Sequence, residues 1–214
     1  MVKVNPTDCT LENEELFAQI DSALAVWNNL PLSGLHLVRS LEDASMTPDE
    51  YLAGDSSEVP IIFCDPDFEL NTGDSDVVPA ATRVGVATTT DQTLNRAAIF
   101  LNAEVGAAAE ISQLPPAVFQ ITLAHEVGHM LGLGHSSVPA ALMYFNVSNK
   151  SSAFAGEDDI QGITFLYPRN EFQRNPFGCA RSSQATTGPS ALVWGGLYLL
   201  FLLGLGRRLR LRQI

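Results

Sequence analysis

Apolar residues recur at helical spacing through Leu11–Leu30, at Leu16, Phe17, Ile20, Ala23, Leu24 and Trp27. The run follows a polar Thr-Asp-Cys-Thr start and stops at Asn28-Asn29-Leu30-Pro31, which predicts an amphipathic helix. Short strand-like runs follow at Gly34–Val38, Val59–Phe63, Thr82–Thr88 and Arg96–Asn102, separated by stretches rich in Asp, Gly, Ser and Pro. Pro116–Leu131 predicts a second helix, with Val118, Phe119, Ile121, Leu123 and Val127 as its apolar positions and Gly132 and Gly134 at its end. Ile160–Tyr167 predicts a third, with Glu157, Asp158 and Asp159 at its positive N-terminal end. One helix, then strands, then two helices imply an α+β domain over residues 1–168, built on a small mixed, twisted sheet and three helices.

Beyond Pro168 the pattern changes. Residues 169–190 are polar and irregular and read as a linker. Residues 191–206 (Ala191–Gly206) carry no charge, and Arg207, Arg208, Arg210 and Arg212 follow within the basic stretch 207–214. At 1.5 Å per residue the uncharged run spans about 24 Å, and snorkelling arginines extend its reach toward a ~30 Å hydrocarbon core. A transmembrane segment is the expectation, with the arginines cytoplasmic and the domain outside.

The chain has 214 residues, a formal net charge of −12 and 46% hydrophobic composition, which fits one globular domain plus a tail. With the arginines gathered at one end, the rest is more acidic still, and nucleic acid is not expected as a partner. Three cysteines, Cys9, Cys64 and Cys179, are too few and too scattered for a disulfide scaffold or a cysteine-ligated metal. Cys9 and Cys64 are read either as a bridge or as two buried thiols. No apolar run follows the amino end, so no signal peptide is visible there.

The chemistry concentrates in His125-Glu126-Val127-Gly128-His129-Met130-Leu131-Gly132-Leu133-Gly134-His135. Residues four apart on a helix lie about 40° apart around its axis, so His125 and His129 share one face and offer two imidazoles to a single ion. Gly132 lets the chain turn back, so that His135 approaches as a third ligand and a fourth position stays open. Glu126 follows the first ligand and points beside the metal, where a general base stands to deprotonate a zinc-activated water. The predicted function is a zinc-dependent endopeptidase acting on protein or peptide substrates. The competing reading is a membrane-tethered binding or structural protein whose zinc is not catalytic.

The extended spacing H-E-x-x-H-x-x-G-x-x-H, followed by Ala141-Leu142-Met143-Tyr144, resembles the metzincin proteases. The run His135–Tyr144 and the segment Asp158–Tyr167 are similar to the matrixin branch, the matrix metalloproteinases. This resemblance implies that Met143 forms an apolar floor beneath the zinc without binding it. It also places the specificity pocket near Ile121, Phe145, Asn146 and Val147, where Phe145-Asn146-Val147 departs from the family's usual Pro-x-Tyr. The second, structural zinc of that family needs three histidines and an aspartate, and His36 is the one histidine left; it reads as a strand-face residue without chemistry. The family's cysteine latency motif is absent, with Cys9 a remote stand-in. Asp65, Asp67, Asp74 and Asp76 form an acid-rich stretch that is a candidate for Ca2+. The tail, with Gly178-Cys179 before the apolar run, resembles the cysteine-containing sorting tails of myxobacterial surface proteins, which makes Cys179 a candidate processing site. Together these imply an extracytoplasmic location, secreted or anchored at the cell surface.

Overall fold

The computed structural model of the chain describes residues 1–41, 43–54, 59–86 and 94–169. Met1–Asn170 make one compact unit. The expected tail features, namely the linker beyond Arg169, Cys179, the apolar run 191–206 and the arginine cluster, lie outside the described residues. Among the described residues no helix is long and apolar enough to cross a membrane.

The fold is α+β, with elements in the order β1 (Lys3–Asn5), α1 (Asn13–Asn28), α2 (Pro48–Ala53), β2 (Ile61–Asp65), α3 (Phe68–Asn71), β3 (Ala80–Val86), β4 (Leu94–Asn102), α4 (Pro116–Met130) and α5 (Glu157–Leu166). The sheet order is β1-β2-β4-β3. β1, β2 and β4 run parallel, and β3 pairs antiparallel with β4 at one edge, with Thr82 opposite Ile99.

β2 is buried at every position, so it is apolar from Ile61 to Cys64 rather than alternating, and the buried Asp65 ends it. Ile62 and Cys64 belong to a large cluster with Ile99, Leu101, Trp27 and Val127, beneath α1 and α4. Ile61 and Phe63 belong to a smaller cluster with Ala98, Phe100 and Tyr51. There Tyr51 of α2 meets Phe63 and Phe100 edge-on at 5.9 and 5.8 Å. The indole of Trp27 donates to the Ala124 carbonyl at 2.9 Å, locking α1 against α4. Cys9 and Cys64 are joined by a disulfide, which resolves the sequence's two readings in favour of the bridge.

Several expectations need correction. The described residues hold five α-helices rather than three, because α2 and α3 are too short to show apolar periodicity. Gly34–Val38 is not a strand. Its polar backbone is satisfied elsewhere: Gly34 N–H donates to the Tyr167 carbonyl, and the Asn28 side chain both accepts from Leu37 N–H and donates to Leu37 C=O. The strand position missed instead is Lys3–Asn5. His36 accordingly sits in an exposed irregular segment, not on a strand face. The boundaries of the other strands move by two residues, except the end of the last at Asn102, which stands as expected, and Ala87 and Thr88 lie outside the described residues.

Candidate metal centre

Helix α4 begins at Pro116, whose missing N–H costs nothing at a first helical position. It ends in a Schellman turn: Gly132, at φ 97°, donates to the His129 carbonyl at 2.9 Å, and Leu133 N–H reaches back to Gly128 at 3.0 Å. That reversal carries His135 back toward the helix. His125, His129 and His135 each present a ring nitrogen within 4.8 Å of the others, and among the described residues no other group of three metal-ligating side chains converges in this way.

The tautomers are set by the surrounding backbone. His125 Nδ1 lies 2.8 Å from the Leu142 carbonyl and His129 Nδ1 lies 2.8 Å from the Leu133 carbonyl, so each Nδ1–H donates and each Nε2 keeps a free lone pair. His129 Nε2 and His135 Nε2 are 3.2 Å apart. Two ligands bound tetrahedrally at ~2.0–2.1 Å stand about 3.3 Å from each other, so the spacing fits one shared zinc-sized ion. Burial pushes the His125 imidazole down to about 4, with the Leu142 carbonyl opposing and its neighbours His129 and His135 adding to the shift. Burial lowers His129 as well. Neutral imidazoles are the form that binds metal.

Glu126 is not part of the converging group. Its carboxylate is buried, and Thr82 Oγ1 on β3 lies 2.6 Å from Oε2 and 3.0 Å from the Glu126 carbonyl. Burial pushes Glu126 up to about 7, and the Thr82 hydrogen bonds pull it back. A carboxyl poised there exchanges protons near neutrality.

Met143 is 2% exposed. The helix passes over it at Gly128, where an added Cβ would stand 2.2 Å from the Met143 sulfur and 2.7 Å from Trp27 Cζ2. Asp159, the third residue of α5, holds the turn from below, accepting from Leu142 N–H at 2.6 Å, Met143 N–H at 3.0 Å and Gly156 N–H at 2.7 Å. Since the Leu142 carbonyl receives His125, one aspartate steadies both the methionine and the first histidine.

The bond of Thr82 to Glu126, the hold of Asp159 on the turn and the Gly128–Met143 contact are not foreseen from the sequence, which places Thr82 only at a strand start and Asp159 only at a helix end. The residues proposed for the specificity pocket divide. Ile121 is buried in the main core and Val147 packs against it, whereas Phe145 and Asn146 are exposed. The Phe145 and Tyr144 rings meet tilted, 4.5 Å apart, and Asn146 Oδ1 accepts from Ser148. Nor does the acid-rich stretch gather into one site. Asp65 is buried at the end of β2 and accepts from Asp67 N–H and Asn71, while Asp76 accepts from Ala108 N–H.

Residues 67–168 match the Peptidase_M10 family, Matrixin. Over those residues the chain is similar to the matrixin branch of the metzincins. Among curated relatives, Metalloendoproteinase 5-MMP of Arabidopsis thaliana is 43% identical over 77 residues, 34% of this chain and 21% of that protein. Matrix metalloproteinase-9 of Canis lupus familiaris is 54% identical over 52 residues, 24% of this chain and 7% of that protein. Metalloendoproteinase 2-MMP of Arabidopsis thaliana is 47% identical over 47 residues, covering 22% of this chain and 12% of that protein. The matrixin-like chain thus spans about a fifth or less of these relatives' length.

Proposed function

We propose that this matrixin-like domain is a zinc-dependent endopeptidase. The observation that carries the reading is a converging three-histidine group with a buried carboxylate, Glu126, beside it and outside it. A site that served only to stiffen the fold has no use for an acid next to an incomplete ligand set. His125, His129 and His135 would hold the ion. When bound, zinc supplies a Lewis acid that polarises the scissile carbonyl and acidifies water.

Glu126 accepts the proton of the attacking water and delivers it to the departing amine. Thr82 holds the carboxylate of Glu126 on the sheet side, and Met143 keeps the floor dry. Ile121, Phe145, Asn146 and Val147 are proposed as neighbours of the substrate side chain. The Cys9–Cys64 disulfide supports an oxidising, extracytoplasmic compartment. The tail, with its apolar run and Cys179, would serve as a membrane anchor open to processing. Mass analysis of a surface-released form decides that point, because loss of the segment beyond Cys179 is expected and an intact Ile214 end contradicts processing.

The central test is Glu126→Gln. Peptide hydrolysis should fall at least a thousandfold while elemental analysis still finds one zinc per chain. Retained turnover after chelator treatment removes the endopeptidase reading, and zinc retained without any hydrolysis in the unaltered chain favours the non-catalytic alternative.

A further inference from the structure

The three histidines are not held alike. His125 and His129 are fixed by their helix and by an Nδ1–H bond to a carbonyl. His135 is exposed, sits off the helix, and its Nδ1 makes no hydrogen bond among the described residues. On its amino side Gly134 offers no wall, since an added Cβ there would meet nothing within 4 Å. A ligand with no partner of its own must be aimed through its chain neighbours.

Ser136, the next residue, is anchored three times. Its N–H donates to the Met143 carbonyl at 2.8 Å, its hydroxyl donates to Asp158 Oδ2 at 2.5 Å, and the same hydroxyl accepts from Val138 N–H at 3.0 Å. Asp158 and Asp159 stand side by side in the first turn of α5 and divide their tasks. The buried Asp159 secures the methionine turn, and the exposed Asp158 reaches the loop that carries His135. A hydroxyl–carboxylate bond this short is of the charge-assisted kind, stronger than one between neutral groups.

We propose that Ser136 and Asp158 form a positioning couple that aims His135 at the metal, so that this exposed surface bond sets how tightly the ion is held. The proposal rests on the zinc reading above. Neither residue touches the ion; both act through the His135 backbone. Partners of this kind typically change metal affinity 10- to 100-fold when removed. Lying at the surface, with Asp158 exposed and Ser136 half-buried, the couple contributes little to global stability, which separates aiming from folding.

The experiment measures zinc affinity of the full chain by competition with a chromophoric chelator, alongside the visible spectrum of the Co2+-substituted protein. Ser136→Ala and Asp158→Asn should each weaken zinc binding at least tenfold and weaken or shift the Co2+ bands. Ser136→Thr, which keeps the hydroxyl, should stay within about threefold of the parent. The double variant should be no worse than either single one, because both remove the same bond. Glu157→Gln removes a charge from the same helix end, but its carboxylate bonds Gln161, so affinity should not change. Metal-free unfolding midpoints should agree across the set. The proposal is overturned if Ser136→Ala binds zinc and Co2+ as the parent does, if the two losses add, or if Glu157→Gln matches Asp158→Asn. If the parent chain binds no zinc at all, the endopeptidase reading falls with it, whereas normal parental binding with an unaffected Ser136→Ala removes the couple alone.

Discussion

Thr82 Oγ1 lies 2.6 Å from Glu126 Oε2, joining the edge strand of the sheet to the acid on the histidine helix across 44 residues of sequence. Hydrogen bonding to the ionised form favours it, so this bond opposes the burial that raises Glu126. Replacing Thr82 by Val keeps the shape and deletes the bond, which sends Glu126 upward from about 7. In the proposed role of general base Glu126 must be deprotonated to work, so on that proposal the acid limb of the kcat/KM profile should move to higher pH. At pH 6 the loss should be on the order of tenfold, corresponding to about one pKa unit. Thr82→Ser should keep the parental profile.

The glycines of the motif are not equivalent. Gly128→Ala drives a methyl into the Met143 sulfur and Trp27, both buried, and should cost roughly 1–3 kcal/mol of stability in urea unfolding. Zinc affinity should fall with it, since Met143 packs against the helix turn between His125 and His129 and must move. Gly134→Ala meets open space and should stay within about 0.5 kcal/mol.

Acid should weaken the metal-free domain through His125. Its folded value of about 4 lies below the ordinary 6.5, so the unfolded chain binds more protons between those limits. Stability is therefore unaffected by this group above pH 6.5 and declines as pH falls from 6.5 toward 4. Urea midpoints measured across that window should show the slope, and His125→Gln should flatten it.

The disulfide closes a separation of 55 residues and ties the segment before α1 to the central strand β2. A chain-entropy estimate for such a loop is about 4 kcal/mol, and measured losses usually fall at roughly 2–5. Replacing Cys9 and Cys64 together by Ala should lower the unfolding free energy by about that much. Hydrolysis at room temperature should survive, because neither cysteine belongs to the histidine site.

The converging histidine group is readable from the sequence because a helix fixes which side chains share a face, and because Gly132 marks where the helix stops. The methionine turn is readable only through the resemblance of Ala141–Tyr144 to the metzincin pattern. Thr82 and Asp159 are not, since their value comes from partners 44 and 16 or 17 residues away. Helix α2 carried a local signal that apolar periodicity alone overlooks: Thr47 and Glu50 form a capping box, with Pro48 at the first position. The Gly34–Val38 segment misleads in the opposite way. Its alternation of Leu35 and Leu37 with polar residues imitates a strand, but the Asn28 side chain takes the hydrogen bonds that a neighbouring strand would have made. The acid-rich stretch misleads because closeness in sequence does not decide which carboxylates face one another.

Asp159 has a consequence for the order in which the protein is made. The carboxylate that steadies Leu142, and through it His125, enters the chain 24 residues after the last histidine of the motif. A nascent chain that has emerged only as far as His135 owns all three ligands and the acid, yet lacks the brace beneath them. The assembled site is therefore a late event in synthesis, and a chain cut before α5 would carry the whole signature with no supported centre.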